Sequence, residues 1–197
     1  MRRWRRIVRP AGLLIALALA TTAVAQEGTR PGAPDVDPPV EVRLAAMAER
    51  LELARTFATL AVFSPTVSDQ HLHAQRVVNL LEGTGGEHFV ERFSPEGKVV
   101  GLLPEARAIA FLLSRLAPDQ GGREEAVLAA KEIVRFLDLA LEEGLAGLRS
   151  RRPEGVALSM RRAFAFLSAA LGRAEDAPAL GGVRALRALV VSLPPKP

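Results

Sequence analysis

From Val40 onward apolar residues recur every three or four positions, the period of a helix that buries one face. Leu44, Met47, Ala48, Leu51, Ala54, Ala58 and Ala61 form the first stripe, with Glu49, Arg50, Glu52 and Arg55 mostly off it. Ser64-Pro65 ends this helix, because proline cannot continue one. A second helix is expected to open within Thr66-Val-Ser-Asp69, where Thr66, Ser68 or Asp69 would cap it. It should run to Glu82 and stop at Gly83.

Residues 83–103 lose the period and read as a loop, long for a compact bundle; such loops are more often functional than short ones. Pro104-Glu105 is a good helix opening, and Ile109, Leu112, Leu113 and Leu116 supply the buried face of a third helix, stopped at residues 118–122. The fourth helix carries Val127, Ala130, Val134, Leu137, Leu141 and Leu148 at near-heptad spacing, with Gly144 in the one missing position. A neighbouring stripe of Ala129, Ile133, Phe136 and Ala140 widens its face. Pro153-Glu154 opens a fifth helix with Val156, Met160, Ala163, Phe164, Leu167 and Leu171 inward, stopped at Gly172. A short last helix, roughly residues 182–193, carries Val183, Leu186, Leu189 and Val190. No stretch alternates as a strand would. The expected fold is all-α, an antiparallel helical bundle of four to five main helices plus a short C-terminal helix, forming one domain over residues 40–193.

The N-terminus has a different pattern. Five arginines fall within residues 1–9, and the uncharged run from Ala11 to Ala25 ends in Ala23-Val24-Ala25, small residues of the kind a signal peptidase reads. That run is 15 residues, short of the roughly 20 that span a bilayer. Residues 1–25 are therefore expected to be a secretory signal peptide, cleaved after Ala25. The Pro/Gly-rich residues 26–39 follow as a flexible leader. The expected destination is periplasmic or secreted, with no membrane span after cleavage.

Charge changes meaning once the signal is set aside. The whole chain has 26 Lys+Arg against 22 Asp+Glu; removing the five signal arginines leaves 21 against 22. The apparent basicity belongs to the export tag, so nucleic acid is not an expected partner. There is no cysteine, which excludes disulfides, thiolate metal sites and a lipid-modified cysteine. The single tryptophan is Trp4 and there is no tyrosine, leaving Phe and His as aromatic anchors.

All three histidines, His71, His73 and His88, fall in the second helix or the loop after it. On a helix His71 and His73 stand about 200° apart and cannot chelate one ion together. His73 shares a face with Val77 and Leu80, and His71 lies on the stripe of Gln75, Val78 and Glu82. If Glu87 and His88 fold back over the helix end, His73, Asn79, Glu82 and His88 make a ligand-binding edge. His73, Glu82 and His88 would suit zinc or another divalent ion. A plainer arrangement makes His73 a core histidine bonded to a backbone carbonyl, Asn79 a pin for the loop, and His88 solvated. The Arg149–Arg152 cluster could dock an anion or an acidic headgroup, although a helix C-terminus favours arginine in any case. No phosphate-binding loop, nucleophile elbow or zinc-protease motif is present.

The segment His73-Ala-Gln-Arg-Val-Val-Asn-Leu-Leu-Glu-Gly83, followed by a loop and Val100-Gly-Leu-Leu103, resembles an uncharacterised family of exported bacterial helical-bundle proteins with a His-Ala-x-x-Val-x-Asn-x-x-Glu-Gly helix motif. The likeness covers the second helix through the fourth. It implies export and a helical bundle, and no activity. In that family the loop is often rich in Asp and Gly, suited to a cation; here it reads Glu87-His-Phe-Val-Glu-Arg-Phe-Ser-Pro-Glu-Gly-Lys98, which departs from that composition. The functional expectation is a non-enzymatic exported bundle binding an envelope partner or small ligand through the second helix and its following loop. The alternative is a metal-binding bundle, which could extend to a metal-dependent enzyme, using His73, Glu82 and His88.

Overall fold

The computed structural model describes residues 38–94, 99–115 and 122–193. The expected signal peptide and nearly all of the leader lie outside the described residues, as do most of the stop at 118–122 and the final prolines. Six α-helices follow in order: α1 (Val40–Phe63), α2 (Val67–Glu82), α3 (Leu102–Arg115), α4 (Arg123–Arg149), α5 (Pro153–Leu171) and α6 (Val183–Ser192). No strand occurs among the described residues, and the fold is the all-α bundle that the periodicity predicts. Among the described residues no helix is long and apolar enough to cross a membrane.

Side-chain pairs give the helix directions. Phe57 of α1 stacks on His73 of α2 across the interface of the two helices. Arg55 lies over the Phe164 ring while Ala61 meets Val156 and Met160, so α1 and α5 run antiparallel. Glu143 reaches Arg162 and Gly147 faces Ser159 and Met160, the same relation for α4 and α5. The core is Leu44, Met47, Leu51, Leu80, Leu81, Leu102, Ile109, Ile133, Leu137 and Leu167 with many alanines between them. Each fully buried leucine contributes roughly 1.5–3 kcal/mol through removal from water.

The structure moves three features from where periodicity puts them. One is Leu112, which is exposed, the buried face of α3 being Leu102, Leu103, Ala106, Ile109 and Leu113. The buried face of α4 is Ala126, Ala129, Ala130, Ile133, Leu137, Ala140, Gly144 and Gly147, with Val127, Val134 and Leu141 only flanking it. Small residues take the centre because α2 and α5 press close; a Cβ at Gly144 would stand 3.0 Å from the Val78 Cγ2. Helix α3 begins at Leu102, two residues before Pro104. Proline in a first turn forfeits no helical hydrogen bond, and burying Leu102 and Leu103 favours the earlier start. Glu105 N–H donates to the Gly101 carbonyl at 3.1 Å and closes that turn.

Candidate functional site

Helix α2 carries the site, and its ends follow local chemistry. The Thr66 hydroxyl accepts a bond from the Asp69 N–H at 3.1 Å, capping the first turn. Gly83 ends the helix with φ +73°, a conformation costly for any side chain.

Beyond Gly83 the chain makes a closed excursion and returns to start α3. Gly83 and Val100 form a single antiparallel bridge at its neck. Thr84 N–H donates to the Val99 carbonyl at 3.0 Å, and the Thr84 hydroxyl accepts from Val99 N–H at 2.9 Å. Gly83 and Gly101 lie backbone against backbone: a Cβ on either would collide with the other strand of the neck. An Arg50 guanidinium N–H from α1 donates to the Val100 carbonyl, tying the returning strand to the bundle.

The outgoing half is pinned to α2 by one helix stripe, Gln75, Asn79 and Glu82. The buried Asn79 amide donates to the Val90 carbonyl at 2.8 Å and accepts from Val90 N–H at 3.0 Å. Gln75 Nε2 donates to the His88 carbonyl at 2.7 Å and to Asn79 Oδ1 at 3.0 Å. Glu82 accepts His88 N–H at 2.7 Å on Oε2 and meets His88 Nδ1 at 2.8 Å on Oε1. Gly86 leaves the space that the Glu82 side chain fills.

The expected site residues therefore divide. Asn79, Glu82 and His88 come together, and Asn79 does pin the loop. His73 goes elsewhere: it stacks on Phe57 at 6.2 Å between ring centroids and 20° between planes, with Arg76 at 5.2 Å from the Phe57 centroid. It is not bonded to a backbone carbonyl; its buried Nδ1 has no partner among the described residues. Burial lowers the His73 pKa below the usual 6.5, the Arg76 charge lowers it too, and Asp69 opposes them. His71 Nε2 meets the Ser150 carbonyl at 2.9 Å, so the three histidines have three separate partners. Among the described residues no group of three or more His, Cys, Asp or Glu side chains is placed to hold a metal ion. His88 and Glu82 resemble the base and orienting carboxylate of a hydrolase, yet the nearby Thr84 hydroxyl is committed to Val99.

The neck and the first turn of α3 enclose an open cleft of about 660 Å³. Val99, Val100, Leu103, Pro104 and Leu141 supply its apolar wall, and Glu82, Thr84 and Arg107 its polar rim. Arg107 pairs with Asp138 at 2.8 Å, which fixes the guanidinium at the mouth. Val100 is 61% exposed, so apolar surface at the cleft stands open to solvent. The lining residues come from three separate stretches of chain, 82–86, 99–107 and Leu141. The one local signal for them is the pair of glycines, Gly83 and Gly101, that the close-packed neck requires.

No protein-family model, curated protein or solved structure matches this chain.

Proposed function

We propose that this is an exported, non-enzymatic helical-bundle protein that binds a small, mainly apolar ligand in the cleft beside the loop that follows α2. The observation that carries this reading is the cleft itself. Its volume lies within the roughly 300–1,000 Å³ of small-molecule sites, and it has an apolar wall with a few polar groups at the rim. The apolar body of the ligand would cover Val99, Val100, Leu103 and Leu141, and its polar end would meet Arg107 or Glu82. The pinned loop preforms the wall, which lowers the ordering cost of binding.

Export rests on the basic residues before Arg9, the apolar run to Ala25 and the Ala23-Val24-Ala25 site. An intact mass beginning at Gln26 for protein recovered from the periplasm or medium is the expected result. The likeness of His73–Gly83 to an exported helical-bundle family is part of the same proposal and rests on the motif alone.

Ligand binding is tested with an environment-sensitive anilinonaphthalene dye. Its emission should rise and shift to the blue with the wild-type protein, and Leu141→Gln, with unchanged helix content, should lower its affinity at least about tenfold, the effect of burying one unpaired amide. No dye binding, or binding indifferent to Leu141, overturns the reading.

A further inference from the structure

The opposite end of α2 meets a surface of different character. The Ser150 carbonyl contacts His71 in the first turns of α2, so the α4–α5 turn lies there. Glu82 is eleven residues beyond His71, roughly 16 Å along the helix. Arg149, Arg151 and Arg152 are exposed on this turn, and Arg161 and Arg162 are exposed on α5. Arg162 lies 3.4 Å from Glu143; among the described residues no carboxylate reaches salt-bridge distance of Arg149, Arg151, Arg152 or Arg161. The acids near this turn are Glu154 in the first turn of α5 and, two residues before His71, Asp69, which accepts from the Thr66 hydroxyl at 2.7 Å; Glu142 and Glu143 lie about two turns back along α4.

Helix electrostatics account for only part of this. Arg149 complements the negative C-terminal end of α4. Arg151 and Arg152 precede the first residue of α5, the positive end of that helix, where its dipole opposes them. Their charge is a cost to the fold. Apolar side chains accompany them. Leu158, 49% exposed, falls on the outward stripe of α5 between the turn and Arg161, and Phe63, 80% exposed, ends α1. Phe63 belongs to the same end, since its neighbour Val62 packs with Val156 and Leu148.

We infer that this end of the bundle docks peripherally on an anionic lipid surface, with the five arginines over the headgroups and Phe63 and Leu158 entering the interface. Exposed guanidinium groups, four of the five with no carboxylate at salt-bridge distance among the described residues, beside exposed apolar side chains fit a charged surface with a hydrophobic layer beneath it. Nucleic acid would engage the arginines and leave Phe63 and Leu158 in water.

The test is sedimentation of the protein, as processed by the expressing cell, with vesicles of phosphatidylcholine alone or containing about one-third phosphatidylglycerol. Binding should be confined to the anionic vesicles and fall steeply in high salt. Each arginine near such a surface strengthens binding about fivefold, so Arg151→Gln with Arg152→Gln should weaken it about 25-fold. Arg161→Gln, at an exposed site on α5, should weaken it about fivefold without touching the turn. Phe63→Ala should weaken it about tenfold. All variants should keep wild-type helix content and dye binding in the cleft. Equal binding to both vesicle types, binding unaffected by the arginine variants, or arginine-dependent binding to a DNA duplex that is insensitive to Phe63→Ala would each overturn the inference.

Discussion

The side-chain amide of Asn79 holds both backbone polar groups of Val90, donating to its carbonyl at 2.8 Å and accepting its N–H at 3.0 Å. One side chain thus completes the hydrogen bonding of a residue eleven positions away, as a neighbouring strand would. Truncation leaves the Val90 N–H and C=O unpaired in a half-buried site, which costs about 1–3 kcal/mol. Asn79→Ala should lower unfolding free energy by about 2 kcal/mol in urea titrations and speed proteolysis between residues 84 and 94. Asn79→Asp keeps the acceptor and should lose less. A change below about 0.5 kcal/mol for Asn79→Ala would mean the clamp does not order the loop.

Three glycines in and around the neck should respond differently to alanine. Gly83 combines φ +73° with a Cβ direction blocked by Gly101, and a Cβ on Gly101 would enter the Glu82 carbonyl. Gly83→Ala and Gly101→Ala should each cost at least about 3 kcal/mol, through strain with no side chain free to move aside. Gly85 meets nothing within 4 Å and does not have positive φ. Gly85→Ala should be neutral or stabilising by up to about 1 kcal/mol. Thermal melting of the three variants separates them, and equal tolerance at Gly83 and Gly85 would contradict the neck geometry.

His73 gives the stability a specific pH dependence. Its pKa is lowered in the folded protein, so the unfolded chain takes up the proton first. The contribution is full above the unfolded value of about 6.5 and declines as pH falls from there toward the lower folded value. His73→Gln should flatten that part of the wild-type profile. Urea midpoints at pH 7.5 and 5.5 for both proteins test this; an identical decline in the variant would remove His73 as the source.

Much of this architecture is legible before any coordinate is known, where one local rule acts alone. Thr66 caps, Gly83 stops, Pro153 opens and Gly172 closes their helices because each meets a single backbone requirement. The α4 face is harder to read because Val127, Val134 and Leu141 look like core beside alanine and glycine. Only packing against α2 and α5 decides that small residues belong at the centre. Asn79 as a pin could be read from the chain, since a buried amide at a helix end needs backbone partners. The separation of His73 from Glu82 and His88 could not, because it depends on Phe57 of another helix. The cleft was equally hidden: Leu141 and Val100 become neighbours only through the α3–α4 packing.

The most direct test of ligand binding is a methyl NMR titration of the isotope-labelled protein with the anilinonaphthalene dye. Shifts that saturate together at Val99, Val100, Leu103 and Leu141, with the methyls of Leu158 and Val191 unmoved, are the predicted result. Shifts scattered over the exposed apolar residues, or none at Leu103 and Leu141, would contradict a ligand site in this cleft.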